Sequence, residues 1–319
     1  MAGPPRTDYV WMDGELIPWE DARVHVLTHT LHYGLGIFEG TRAYEQTGGG
    51  SCIFRLDDHL KRLMGSARIC NIEMPFDRDR LRQATIELVA ANGHASSYIR
   101  HLGFLSAGTM GLYPRDNPVS LCITTWPWGA YLGEEGLKNG IRAKISSFTR
   151  PFPNAVMTKG KIVGNYVNSI MAKREVVHQG YDEAILMDTN GFVTECSGEN
   201  LFTVRNGVVR TPVLTSGLMG ITRDTVLKIA RDLGHQTTET ILTRDELYIS
   251  DEVFMSGTAA EVTPVREVDD RPIGDGKAGP VTMAIQKVYF ETIRGERPEY
   301  GDWLTPVPLE ASVHGSAAL

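Results

Sequence analysis

The sequence lacks several features that would decide its class outright. Its four cysteines, Cys52, Cys70, Cys122 and Cys196, are scattered and form no C-x-x-C pair or dense framework. They read as reduced thiols of a cytoplasmic protein. No apolar run approaches the ~20 residues a bilayer span requires, and the opening MAGPPRTDYVWMDGELIPWED turns acidic too early for a secretory signal. Positive charge is not in excess. Thirty-two Lys and Arg against 39 Asp and Glu leave a formal net charge of −7, so neither nucleic acid nor an anionic membrane is expected as a partner. There is no G-x-S-x-G elbow, no Walker loop and no G-x-G-x-x-G followed by a suitable acid. Serine hydrolase, nucleotide kinase and dinucleotide enzyme readings therefore have no local support.

What is present is a globular chain of 319 residues, more than one core usually holds. Two apolar runs flank Asp13-Gly14, a dipeptide suited to a hairpin turn. Leu56, Leu60, Leu63, Ala67 and Cys70 share one face of a predicted helix with Asp57 as its cap, and RLRQATIELVAANG predicts a second helix closed by Gly93. With the β-rich runs SSYIRHLGFLSAG and VSLCITTWPW, residues 1–130 read as a small N-terminal α+β domain, and 131–136 as a linker. Residues 137–304 form a larger domain. It holds a strand in GIRAKISSFTR, a helix ending at Gly180, and several short strands with Asn-Gly at 190–191 and 206–207, expected as an antiparallel meander. The helix in GITRDTVLKIARDLG buries Val226, Ile229, Ala230 and Leu233 and stops at Gly234, while residues 305–319 read as a disordered tail.

Candidate chemistry is thin when each segment stands alone. His25, His29 and His32 have helical spacing, but no carboxylate or cysteine completes a metal site; ordinary packing histidines are the expected role, and no metal is predicted. Thr222, after Gly220-Ile221 at a helix head, suits either a phosphate held on free N–H groups or a plain N-cap, with the cap favoured. Thr258 sits in a small-residue turn. NAVMTKGKIVGNY, residues 154–166, carries Lys159 and Lys161 two positions apart, and the pattern does not say whether either is a working amine. Tyr98 and Arg100 would share one face of a strand.

Together, HYGLGIFEGTRAY, YIRHLGF, PWGAYLG, KIVGNY, TECSGENLF, GITRD and FMSGTAAEVTPV occur in order at compatible spacing. The chain, from about Tyr9 to Trp303, resembles the class IV, fold type IV pyridoxal 5′-phosphate (PLP) aminotransferases, most of all the bacterial branched-chain amino-acid enzymes. That resemblance implies an α+β two-domain fold whose larger domain has an antiparallel-rich, barrel-like core. It implies Lys161, three residues before Gly-Asn-Tyr, as the Schiff-base lysine, with Lys159 a neighbour. Glu195 would pair with the pyridine nitrogen and Tyr166 with the ring hydroxyl. Arg62, Ile221, Thr222 and Thr258 would hold the phosphate. Arg62 is nominated by the resemblance alone, since it lies off the apolar stripe of its helix and would otherwise be solvated. Tyr33, Phe38, Tyr98, Trp128 and Tyr131 would line the substrate pocket together with Gly198. Arg100 would take the side-chain carboxylate of glutamate, and the Thr258-Ala259 backbone the α-carboxylate.

The implied reaction is ping-pong exchange, through pyridoxamine phosphate, between L-leucine, L-isoleucine or L-valine and 2-oxoglutarate, giving the branched-chain 2-oxo acid and L-glutamate. The implied partners are amino acids, 2-oxo acids and a second copy of the chain, so a homodimer at least and a hexamer as the larger option. Departures from the family pattern are Met219 where Pro is common, Cys196 where Gly is often found, and an unusual AGTMGLYPRDN segment at 107–117. The alternative on the same fold is a D-amino acid, an (R)-amine or aminodeoxychorismate in a lyase reaction, and the 107–117 segment keeps (R)-amine side activity open. The Tyr98/Arg100 pair favours the branched-chain reading.

Overall fold

Asp13 (φ 49°) and Gly14 (φ 110°) take the left-handed backbone that a two-residue hairpin needs. They fold strand β1 (Tyr9–Met12) onto β2 (Glu15–Pro18), as predicted. The structure, a computed structural model, describes residues 6–308. It divides into two compact units, one formed by residues up to Trp128 and from Thr292 onward, the other by Gly129–Glu291. The C-terminal segment from Thr292 thus lies in the first unit, where the sequence reading put residues to 304 in the second.

In the first unit the short helix α1 (His29–Tyr33) leads into β3 (Gly36–Glu45), which pairs with β4 (Ser51–Phe54). Helices α2 (Leu56–Ile69) and α3 (Arg78–Asn92) follow, then β5 (Ser97–Leu105) and β6 (Val119–Trp126). A last strand, Leu304–Val307 (β16 in chain order), completes a seven-stranded sheet of order β16-β4-β3-β5-β6-β1-β2. Residues 305–307, expected in a disordered tail, are therefore paired with Ile53, Cys52 and Ser51; the rest of that tail beyond Pro308 lies outside the described residues. Leu56, Leu60 and Leu63 of α2 are fully buried with Leu81 and Leu88 of α3 and Trp11, Ile37 and Ile99 of the sheet. Each such leucine contributes about 1.5–3 kcal/mol relative to exposure. The predicted stripe holds except at its ends: Cys70 is the half-buried C-cap, and the N-cap is Arg55 in left-handed backbone, with Asp57 inside the first turn rather than capping.

The second unit begins with coil and α4 (Glu134–Asn139), so the expected linker 131–136 already contains helix. Its strands are β7 (Ile141–Thr149), β8 (Glu183–Met187), β9 (Val193–Cys196), β10 (Asn200–Arg205), β11 (Val208–Pro212), β12 (Thr237–Thr240), β13 (Glu252–Gly257), β14 (Glu261–Val268) and the short β15 (Arg271–Pro272). Helices α5 (Tyr166–His178), α6 (Ile221–Asp232), α7 (Arg244–Tyr248) and α8 (Pro280–Ile293) complete it.

The nine-stranded sheet runs β12-β11-β10-β13-β14-β7-β8-β9, with β15 on β14. This is not the expected meander. β8–β9 and β10–β11 are separate antiparallel hairpins, and β7 pairs in parallel with both β8 and β14. Cys196 N donates to Glu199 O at 2.7 Å, closing the turn between β9 and β10 at one end of this antiparallel-rich, curled sheet. Ile145, Ile185, Leu201, Val253, Met255 and Val265 fill one core, and Ala172 and Val176 of α5 pack on Leu186. α6 buries Val226, Ile229 and Ala230 as predicted, but Leu233 is its exposed C-cap because the helix ends at Asp232.

Candidate active site

The lysine segment enters α5 through a single 3₁₀ turn at Val163–Asn165. That turn reverses the chain tightly enough for Lys161 Nζ to donate to Tyr166 Oη at 2.6 Å. Glu195 lies on β9, 6% exposed, and Leu218 N donates to its Oε2 at 2.8 Å. Arg150, just past β7, brings Nε to 2.8 Å from Glu195 Oε1. The Arg150 N–H is not aligned on that oxygen and is not a hydrogen bond, so the contact is an ion pair by distance only. α5 braces the same guanidinium through Asn168 Oδ1 and Ser169 Oγ. Burial pushes the Glu195 carboxyl up; Arg150, the Leu218 amide, Lys161 and Lys159 pull it back without cancelling the rise. This carboxylate is short of aligned donors.

The chain from Leu218 runs directly into α6. Its N-cap is Gly220, not Thr222, and no side chain caps the helix. Thr222 instead sits inside the first turn, 3% exposed beside Ile221. The N-cap has to be glycine for space: a Cβ on Gly220 would stand 1.9 Å from Asn200 Oδ1, while Asn200 Nδ2 holds Leu218 O at 3.0 Å. Farther along, buried Arg223 pairs with Glu239 at 2.6 Å and steadies the helix start. An uncapped helix N-terminus with its positive dipole end favours an anion.

β10 pairs with β13 so that Asn200 faces Ser256, which sets the turn at 197–199 beside the turn at 257–260. Gly198 and the half-buried Thr258 and Ala259 therefore lie in neighbouring turns. Gly198 N donates to Glu199 Oε2 at 3.1 Å. Burial, and then the neighbouring Glu183 carboxylate, push the Glu199 carboxyl up to about 8. Lys173 forms an ion pair with Glu183, and its Nζ lies 5.4 Å from the Tyr131 ring.

In the first unit, Tyr98 and Arg100 do share one face of β5, and Arg100 Nη2 donates to Tyr98 Oη at 3.2 Å. Arg100 Cζ stands 4.7 Å from the Phe38 ring, and Trp128 meets Tyr98 edge-on at 4.8 Å. Gly40 makes room for this cluster, since a Cβ there would overlap Tyr98 Oη at 1.8 Å. Tyr33 does not join it; its ring packs on His29 at 4.6 Å. His29 Nε2 meets Gly111 O at 2.7 Å, His32 Nε2 meets Val26 O at 2.9 Å, and Leu27 N donates to His25 Nδ1, so the three histidines have separate partners. Arg62 is not solvated. Its Nε and Nη2 grip Glu39 Oε1 and Oε2 at 2.6 and 2.9 Å, and His59 Nδ1 adds a third contact at 2.7 Å.

Sequence reasoning missed Arg150, Asn200, Glu199 and the Glu39–His59 pair. Helical or strand periodicity says nothing about a partner dozens of residues away.

The site joins an amine on a phenol, a buried carboxylate backed by an arginine, and a helix start without a side-chain cap, all in the second unit. That constellation defines the fold type IV class. Residues 36–268 match the amino-transferase class IV family, and the chain belongs to that family. It is 48% identical over 307 residues to the branched-chain-amino-acid aminotransferase of Pseudomonas aeruginosa, covering 96% of this chain and 100% of that one. The corresponding Escherichia coli K12 enzyme is 44% identical over 304 residues, with 95% and 98% covered. Among solved structures, the fold superposes with TM-score 0.92 on the T.th. branched-chain amino acid aminotransferase with pyridoxamine 5′-phosphate, at 49% identity, covering 95% of this chain and 99% of that one. The E. coli crystal structure also gives 0.92, at 44% identity, with 95% and 100% covered.

The donor set fits a phosphorylated pyridine. Glu195 has a carboxylate oxygen without an aligned donor, suited to a cationic ring N–H, and α6 offers its N-terminus to a phosphate.

Proposed function

We propose that this protein is a PLP-dependent aminotransferase that moves the amino group of L-leucine, L-isoleucine or L-valine to 2-oxoglutarate, yielding the branched-chain 2-oxo acid and L-glutamate. The observation that carries the reading is Lys161 Nζ seated on Tyr166 Oη, in the same unit as a buried Glu195 that lacks an aligned donor on one oxygen. PLP, when bound, supplies an electron sink for the pair left on the amino-acid Cα. Lys161 Nζ is the group that takes the Cα proton and later returns one, and the Tyr166 hydroxyl orients that nitrogen. Glu195 holds a positive N–H against its carboxylate, with Arg150 keeping it ionised. Ile221 and Thr222, together with Thr258 and Arg62, hold the phosphate; Glu39 fixes the Arg62 guanidinium in one orientation.

For the substrate, the resemblance nominates Arg100 for the glutamate side-chain carboxylate and Phe38, Tyr98 and Trp128, which pack together, for the branched side chain; it also nominates Tyr131, Gly198 and Tyr33, the last of which packs on His29 in the single chain. The Thr258-Ala259 turn takes the α-carboxylate. The Tyr98–Arg100 contact supports this double use of one pocket. A homodimer is the proposed minimum assembly: Val26, Leu31, Leu112 and Tyr113 of the first unit are 65–90% exposed in the single chain, apolar area that twofold pairing would cover. We place the protein in the cytoplasm on its four free cysteines; no helix among the described residues is long and apolar enough to cross a membrane.

The test is the visible spectrum of the protein reconstituted with PLP, before and after excess L-leucine without an oxo acid. Bleaching of the yellow band supports the proposal, and Lys161→Ala should neither show that band nor turn over. A yellow protein that ignores L-leucine would overturn the branched-chain assignment while keeping the cofactor.

A further inference from the structure

Lys159 is the lysine that the chemistry above leaves unused. Its side chain is half-buried. It donates to three backbone carbonyls of one loop, those of Leu214, Thr215 at 3.3 Å and Gly217 at 2.8 Å. Three carbonyls around one ammonium use all three of its protons. That convergence gathers a loop of otherwise irregular backbone around a single charge.

The next residues of that loop are the ones the site depends on. Leu218 N donates to Glu195 Oε2. Gly217 is packed so closely on Glu195 that a Cβ would stand 3.2 Å from Oε2. Leu218 O is held by Asn200, and Gly220 caps α6. Both the amide that serves Glu195 and the helix start proposed for the phosphate thus hang from the segment that Lys159 grips.

We propose that Lys159 is a positioning residue: its ammonium locks the carbonyls of residues 214–217 and so fixes the Leu218 amide on Glu195 and the approach to the α6 N-terminus. The proposal rests on the aminotransferase reading for what Glu195 and α6 hold. Burial lowers the Lys159 pKa, and Arg223 adds to this, while Glu195 opposes it. The half-buried ammonium is held by its three carbonyl partners and favoured by the nearby carboxylate. Its charge also reaches Glu195 directly, helping to keep that carboxylate ionised.

The experiment compares wild type, Lys159→Met and Lys159→Arg as reconstituted holoenzymes, with hydrogen exchange of the PLP-free proteins as a second readout. Lys159→Met should accelerate amide exchange across residues 213–218. It should weaken PLP binding about tenfold, the loss of charge-assisted hydrogen bonds. It should also move the pH midpoint of the bound-PLP visible band by about half a unit or more, because Glu195 loses an aligned donor and a nearby positive charge. Lys159→Arg, which keeps the charge and several donors, should restore most of all three. Gly217→Ala disturbs the same presentation of Leu218 while keeping the Lys159 ammonium, which it meets only through the Gly217 carbonyl, and should shift the band the same way, which keeps the test open if Lys159→Met does not fold. Wild-type exchange at 213–218 with an unshifted band in Lys159→Met overturns the proposal, as does an unshifted band in Gly217→Ala. Failure of the wild type to bind PLP would instead overturn the aminotransferase reading and leave the exchange result to decide the loop contact.

Discussion

The two units each bury a glutamate beside an arginine, and the two carboxyl groups are shifted in opposite directions. Glu39 is fully buried and receives Arg62 through two nitrogens, His59 Nδ1 and the Gly40 amide. Burial alone would raise it, but Arg62 and His59 outweigh burial and hold it well below the ordinary carboxylate range. Glu195 has one aligned amide and an arginine that approaches out of line, and burial wins. A carboxylate whose partners are complete is a clamp; one left short of partners is prepared for something that arrives. Glu39 fixes Arg62, whereas Glu195, on the function proposed above, keeps capacity for a cationic N–H at some cost in stability.

Several substitutions press on that contrast. The largest effect should come from Glu39→Gln, which leaves the half-buried Arg62 without its fully buried countercharge. Removing one member of a buried pair costs about 3–5 kcal/mol, and urea unfolding of the PLP-free protein should show it. Glu195→Gln should reverse the pattern, with a smaller loss of stability than Glu39→Gln but kcat reduced by about 10²–10³, read by steady-state assay at saturating PLP. If both substitutions act mainly on stability, the contrast is broken.

Arg100→Leu tests the substrate side. It should weaken the use of 2-oxoglutarate and glutamate by about 10–100-fold through loss of a charged hydrogen-bonding partner, with the leucine half-reaction nearly unchanged in single-turnover spectra. The smallest effect is a slope. The Glu39 pKa is lowered on folding, so its contribution is complete above the unfolded value of 4.5 and is lost as pH falls below it. One such group adds at most about 1.4 kcal/mol per pH unit, and Glu39→Gln should flatten the acid limb of the wild-type stability curve by that much. An unchanged limb would mean other carboxylates carry the acid sensitivity.

Much of this contrast was out of reach of the sequence. Local pattern gave the Asp13-Gly14 hairpin, the Leu56–Leu60–Leu63 stripe, the Gly93 stop and the face shared by Tyr98 and Arg100, because each depends on neighbours two to four positions away. Choosing Lys161 over Lys159 needed the family resemblance, since two lysines in one loop carry the same local information. Arg150, Asn200 and the carbonyl ring around Lys159 were hidden because their partners lie far along the chain. The meander failed for the same reason: strand pairing between β7, β8 and β14 is a long-range choice that Asn-Gly turns cannot specify. Residues 305–307 misled through composition, because Pro306 is tolerated on an edge strand.

The most direct measurement is the ¹⁵N chemical shift of the ring nitrogen of labelled PLP bound to the protein near pH 8, in wild type and in Glu195→Gln. A protonated-pyridine shift in wild type that is lost in the variant is the predicted result. A free-pyridine shift in wild type, or the same shift in both proteins, would contradict the account of Glu195 as the carboxylate kept short of partners for that N–H.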